Sequence, residues 1–186
     1  MTIARQFLYS TVTSFALVSG AWAQGAPAPE GMVVLTVSGE TTEANRAAAL
    51  EDGRDMMSKY GIAFDKAVEF DLAGLASLEQ GEVERTIYAG EFEGTFSGPK
   101  LAAVLDAAGF PVSTVWAMAL DGYSAEIPGE FIEEYDPILA THLDGKPLGI
   151  GRYGPTTVVF PETDDAEVNE QTDGMLPWAT FYIEVE

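Results

Sequence analysis

What most constrains this chain is how short its apolar runs are. Each soon ends at Gly or Pro, residues that number 19 and 10 among 186. Short runs rich in Val, Ile and Thr between such breakers read as strands. Residues 32–38 (MVVLTVS), 83–89, 114–120, 124–127, 138–143, 156–160 and 180–185 fit that description. Helical periodicity occurs in fewer places. Residues 43–60 carry Ala47, Leu50, Met56 and Met57 at helix-like spacing and stop at Gly61, with Gly53 weakening the middle. Asp71 is an N-cap candidate for a short helix over 72–78. Ser97-Gly98-Pro99 opens a helix over 100–108, with Leu101, Val104 and Leu105 on one face and Gly109 as its stop. A helical turn is expected at 129–135. Strands and helices do not alternate regularly, so the pattern predicts α+β rather than a doubly wound sheet. No internal repeat is present, and one domain is expected.

Composition removes much of the chemical vocabulary. The chain has no Cys and one His, which excludes disulfides, thiolate metal sites and Cys nucleophiles. Against 30 Asp and Glu stand 9 Lys and Arg, a formal charge of −21. Phosphate backbones and anionic membrane surfaces would be repelled, so nucleic acid is not an expected partner.

Residues 1–23 read as a secretory signal peptide. Arg5 supplies the positive end, residues 7–18 the apolar stretch, and Ala21-Trp22-Ala23 the small-x-small cleavage pattern. An uncleaved anchor is the alternative. Cleavage would leave 163 residues at −22, because Arg5 is the charged residue lost. The expectation is an exported, periplasmic protein with no direct membrane insertion after cleavage. Residues 24–31 (QGAPAPEG) form a linker expected to be disordered or extended. The folded domain is expected over 32–186.

Three clusters stand apart from generic core. In the first, residues 119–128, Asp121-Gly122 marks a turn that places Asp121 and Tyr123 at its edge; a plain hairpin is the bland alternative. The second runs from His142 through Asp144-Gly145-Lys146-Pro147 to Gly151-Arg152-Tyr153-Gly154-Pro155. Arg152 is the last arginine of the chain, and it is either paired with surface carboxylates or kept for an acceptor-rich ligand. Glycines there let backbone approach a flat ligand, and Pro155 fixes the loop's exit. The third holds Pro177-Trp178 at the mouth of the last strand, where an indole either stacks on a planar ring or packs on the rim. Trp116 reads as core. His142, on strand 138–143, reads as a half-buried structural histidine. No Gly-x-Ser-x-Gly elbow occurs. The acidic run 162–167 lacks a calcium-loop pattern and reads as a solvated loop. Glu133-Glu134 fall on a polar helix face. No catalytic and no metal-ligating residue is assigned.

Taken in order, these stretches resemble the oxidoreductase molybdopterin-binding domain, the fold of sulfite oxidase catalytic domains. The resemblance is carried by 70–78 (FDLAGLASL), 96–105 (FSGPKLAAVL), 119–128 (ALDGYSAEIP), 138–141 (ILAT), 144–148 (DGKPL), Gly154-Pro155 and the terminal 178–185. It implies a compact α+β fold of mixed sheets and a few short helices, with residues 41–68 as an insertion. In those enzymes a Cys thiolate holds molybdenum, and this chain has none, so no molybdenum and no redox cofactor are expected. Small exported proteins of this fold without the Cys resemble periplasmic pterin-responsive regulators. That resemblance implies a non-enzymatic pterin-binding sensor acting on the periplasmic domain of a membrane signalling protein that controls cyclic di-GMP. The implied pterin site is Trp178 as stacking wall, Arg152, Tyr153, Gly154 and Pro155 on the Gly loop, Asp121 and Tyr123 opposite, and His142 nearby. The alternatives are a molybdopterin-dependent oxidoreductase or its accessory subunit, and a ligand-free adaptor domain.

Overall fold

The computed structural model describes residues 26, 28–41, 43–50, 53–87 and 92–186. The expected signal segment lies outside them, as do residues 88 and 89 of the expected strand 83–89. Among the described residues the chain is a mixed α+β protein built on several sheets. A six-stranded sheet runs, edge to edge, β2 (Arg46–Ala47), β3 (Lys66–Asp71), β1 (Val33–Ser38), β12 (Thr180–Val185), β6 (Val115–Ala119) and β7 (Ser124–Ile127). A four-stranded sheet runs β10 (Lys146–Pro147), β9 (His142–Leu143), β5 (Phe92–Pro99) and β4 (Gln80–Ile87). The third sheet pairs β11 (Thr157–Val159) with β8 (Ile138–Ala140).

β1 is the centre of the large sheet. It lies parallel to β12, with Val37 opposite Ile183, and antiparallel to β3. β1 is buried on both faces, and its two polar residues, Thr36 and Ser38, alternate with Leu35 and Val37 and are hydrogen-bonded to Arg46 and Tyr182. On one face, Leu35, Val37, Phe70 and Ile183 meet Leu101, Val104 and Leu105 of α3 (Leu101–Ala107). These three helix positions, spaced i, i+3 and i+4, make a single apolar stripe.

The opposite face is covered by the segment that the sequence reads as a helix over 43–60. That helix does not form. The segment gives the edge strand β2 and one short helix, α1 (Met56–Lys59). Gly53, at φ +70°, interrupts any longer helix, and Asp55 restarts one by accepting from the Ser58 N–H at 2.8 Å. Met57 and Ile62 then pack with Phe181 and Tyr182, and Phe64 stacks on Tyr182 at 6.2 Å. The Arg46 guanidinium sits 5.2 Å from the Phe64 ring centre and pairs with Glu69 at 2.7 Å. Burial pushes the Tyr182 phenol up to about 12, against its hydrogen bond with Ser38.

Asp71 caps α2 (Leu72–Ala76) as expected, its Oδ1 accepting from the Gly74 N–H at 2.7 Å. Its Oδ2 also accepts from the N–H groups of Gly31, at 2.7 Å, and Glu30, at 3.0 Å. Three residues of the expected linker are therefore held to the domain, because Ala26 also donates its N–H to the Ala107 carbonyl at 3.1 Å.

Several elements went unread in the sequence, among them the strands β3, β5 and β10 and the helix over 166–173. The strand β5 lies in a stretch read only as the approach to a helix, yet it pairs with β4 over eight residues. Gly98 lets the chain at 139–141 cross close to this strand, because a Cβ there would lie 2.2 Å from the Leu139 carbonyl oxygen. Acidic residues 162–167, read as a solvated loop, instead lead into α5 (Ala166–Asp173). Asp165 caps it by accepting from the Glu167 N–H at 2.9 Å. The expected strand 138–143 divides into β8 and β9, because Thr141 donates its N–H to Ser97 of β5 and the chain changes sheets there. Trp116, read as core, is exposed on β6 and donates its indole N–H to Glu186 at 2.8 Å. The turn 129–135 forms α4 (Gly129–Tyr135) as expected, with Glu133 and Glu134 exposed. Lys100 bridges Asp136 at 2.7 Å and Glu79 at 3.0 Å, and these hydrogen bonds hold its ammonium up to about 12.

Candidate functional site

Three connections converge at the start of β12. The first is the β6–β7 hairpin, whose turn holds Asp121 and Tyr123. Asp121 Oδ1 accepts from the Tyr123 N–H at 3.0 Å, so this carboxylate is also a turn former. The Tyr123 hydroxyl donates to the Gly174 carbonyl at 2.9 Å. The second connection is residues 174–179, which carries Trp178. Thr180 and Thr157 both donate their hydroxyls to the Pro177 carbonyl, at 2.6 and 3.1 Å. The third is the Gly loop, residues 149–155. Here the Arg152 and Gly154 N–H groups donate to the Gly149 carbonyl at 3.3 and 3.1 Å. Position 154 must be glycine, because a Cβ would sit 2.6 Å from the Leu148 carbonyl carbon. A cis bond joins Gly154 to Pro155.

Ala179 joins these connections through its backbone. Its N–H donates to the Tyr153 carbonyl at 2.9 Å, and its own carbonyl accepts from the Leu120 N–H at 3.0 Å. It does so at φ +54°, a left-handed conformation uncommon outside glycine. Tyr153 is thereby set edge-on to Trp178, with ring centres 5.6 Å apart, and edge-on to Phe96 at 6.2 Å. Trp178 stays 40% exposed, so part of its ring remains open to solvent.

Beside Tyr153 lies a cleft of about 270 Å³ between the β9–β10 hairpin and the Gly loop. Leu143, Pro147 and Leu148 give it apolar wall, and Lys146 and Arg152 give it two cations. Asp144 also lines it, but its Oδ1 accepts from the Thr95 N–H at 3.0 Å. Neither Lys146 nor Arg152 forms an ion pair among the described residues, although acids outnumber bases by 30 to 9. Two cations left unpaired in one cleft of so acidic a chain suit a ligand rich in acceptors or negative charge.

Of the residues singled out from sequence, Arg152 and Tyr153 line the cleft and Gly154 shapes their loop, whereas Trp178, expected as the stacking wall, touches the Tyr153 ring and is not among the residues that line the cleft. Asp121 and Tyr123 hold the far end of the Trp178 connection and do not line the cleft. Pro155 lies on the other side of the Gly loop, in a separate apolar groove. His142 is not brought to the cleft: it shares a hydrogen bond with Thr141 Oγ1 at 2.9 Å, while Leu143 beside it turns inward. Successive strand side chains point to opposite faces, so the two cannot both face the cleft. Sequence reasoning passed over Lys146 and Ala179. The scarcity of cations that drew attention to Arg152 applies equally to Lys146; nothing in the sequence marks Ala179. Among the described residues no group of three His, Asp or Glu is placed to hold a metal, and no helix is long and apolar enough to cross a membrane.

No protein-family model matches the chain, and no curated protein matches it. Among solved structures it is similar to the sulfane dehydrogenase SoxCD from Paracoccus pantotrophus, with a TM-score of 0.48 and 14% sequence identity. The match covers 64% of this chain and 35% of that one, so the chain spans about a third of the length of the protein it matches.

Proposed function

We propose that this protein is an exported, non-enzymatic pterin sensor that acts on the periplasmic domain of a membrane signalling protein controlling cyclic di-GMP. The observation that carries the reading is the part-exposed Trp178–Tyr153 ring pair beside a cleft that holds Lys146 and Arg152 without ion pairs. A pterin is flat, aromatic and edged with acceptors. Trp178 supplies a stacking face, and Arg152 and Lys146 supply donors for ring carbonyl oxygen or an anionic substituent. Support also comes from the ordered sequence resemblance to molybdopterin-binding domains.

The donor set does not fit a resident molybdenum centre. With no cysteine in the chain there is no thiolate for the metal, and the one histidine turns away from the cleft. Recognition of the ring without redox turnover is what these residues support.

Direct titration with oxidised and reduced pterins, followed by fluorescence, tests the reading. The native chain should bind at one site, and Trp178→Ala should weaken binding about tenfold. Arg152→Ala should weaken it as well. Unchanged affinity in Trp178→Ala overturns the site. Stoichiometric molybdenum in protein made by a host that synthesises the cofactor overturns the function.

A further inference from the structure

The outer face of the six-stranded sheet is covered on one half only. Met57, Ile62 and Phe64 pack over Tyr182 and reach Met118. Beyond Met118 the face is open. There Trp116 of β6 stands, by strand register, opposite Glu184 of β12 on one side and Glu126 of β7 on the other. Residues opposite one another in neighbouring strands point to the same face, so the indole lies between two carboxylates. Glu186 comes to the same indole, accepting its N–H at 2.8 Å. All four side chains are exposed, Trp116 to 37%.

The charges on this face say what kind of partner fits. Beside Glu184 lies a hollow of about 460 Å³ that Glu40 and Asp65 also line. None of the five carboxylates Glu40, Asp65, Glu126, Glu184 and Glu186 forms an ion pair among the described residues. The one cation among the described residues that line the hollow is Lys66, and it forms none either. Opposite charges on neighbouring strands stabilise a sheet, yet no Lys or Arg stands in β6, β7 or β12. Both cross-strand neighbours of Trp116 are glutamates instead. An exposed indole between uncompensated carboxylates suits the side chain of arginine or lysine: the ring face attracts the cation, and the carboxylates accept its N–H groups.

We infer that this face docks an arginine- or lysine-bearing segment of a protein partner, with one cationic side chain laid over Trp116 between Glu126 and Glu184. Charge complementarity selects that occupant. A second copy of so acidic a chain brings like charge against the face, and an anionic ligand is repelled by it. The face lies toward the end of β12, whereas the Trp178–Tyr153 ring pair stands at its start. The docking therefore goes beyond the pterin reading and does not depend on it.

The test measures binding of a fluorescein-labelled, arginine-rich synthetic peptide to the full chain by anisotropy. Net charge alone attracts such a peptide, so variants of equal charge make the comparison. Glu126→Gln with Glu184→Gln should weaken binding about tenfold. Glu82→Gln with Glu84→Gln, at exposed positions on β4, should weaken it less than about twofold. Trp116→Leu changes no charge and should cost about three- to fivefold, with part of the loss recovered in Trp116→Phe. The variant Glu126→Gln with Glu184→Gln should keep or raise the Tm, because it relieves repulsion, which separates lost docking from lost folding. Equal weakening by the two glutamine pairs overturns the proposal, as does full affinity in Trp116→Leu. Spermidine held at this face as tightly as the peptide also overturns it, in favour of a free polyamine. A concentration-dependent dimer dissolved by Trp116→Leu overturns it in favour of a second copy. Pterin titration of the same samples separates the two readings: peptide failure with pterin bound refutes only the docking, and pterin failure with peptide bound refutes only the sensor.

Discussion

Arg85 is 1% exposed, and its guanidinium is spent on structure. It donates to the carbonyls of Phe160 and Pro161 and, from its other terminal nitrogen, to the Asn169 carbonyl, Thr172 and Asp173. The Asp173 contact is an ion pair at 2.7 Å, with that carboxylate half exposed. Arg85 thus fastens α5 to β4, and its burial contrasts with the exposure of Arg152. Both residues look alike in the sequence, as scarce cations in an acidic chain, and only the carbonyls gathered around Arg85 separate structural from available charge. Replacing it by Met leaves several buried acceptors without donors. Arg85→Met should cost about 3 kcal/mol in urea unfolding, with faster amide exchange across α5 than elsewhere.

At the scale of elements, Asp71 does two jobs with one carboxylate. Its Oδ1 caps α2, and its Oδ2 holds Gly31 and Glu30 at the entrance to β1. The N–H groups of Gly74 and then Gly31 hold its carboxyl below the usual carboxylate range. A depressed value means that the folded state favours the charged form. The contribution is present above the ordinary carboxylate pKa, near 4, and is lost as pH falls through the depressed value. Asp71→Ala should lower the Tm by roughly 2–4 °C at pH 7 and flatten the acid limb of the stability curve. Calorimetry between pH 2.5 and 7 checks both. The cap was legible because Asp before an apolar helical stretch is a local signal. So were α3, α4, β7 and β12, where periodicity or β-branching agrees with the final packing. Local signal failed where partners are distant. The strand β5 carries Gly94 and Gly98 and is defined by its pairing with β4, and α5 is a polar helix stabilised from outside by Arg85. Of the apolar residues behind the helix expected over 43–60, only Met57 is buried, against Phe181 and Tyr182 of the sheet, while Ala47, Leu50 and Met56 stay exposed, so no continuous apolar stripe holds a helix there. In the candidate site, the loops and their aromatic residues were legible. Which side of the Gly loop or of β9 each residue faces was not, because that depends on sheet pairing.

Across the whole molecule, a formal charge of −21 makes the folded state self-repelling. Screening relieves that repulsion. Raising NaCl from 20 to 500 mM should therefore raise the Tm of the free chain, by a few degrees, on thermal melts at pH 7. A Tm that falls with salt would mean that ion pairs such as Arg46–Glu69 outweigh the net repulsion.

The joint at Ala179 has a practical consequence. Both of its bonds, to the Tyr153 carbonyl and from the Leu120 N–H, belong to the main chain. Alanine scanning is blind to it twice over: the residue is already alanine, and truncating its bonded neighbours removes only their side chains. Scans of this protein will assign the coupling between hairpin and Gly loop to Trp178 or Tyr153, the visible side chains, while the hinge pin between them goes unrecorded. Backbone chemistry, such as an ester in place of the amide at position 179, is the kind of change that reaches it.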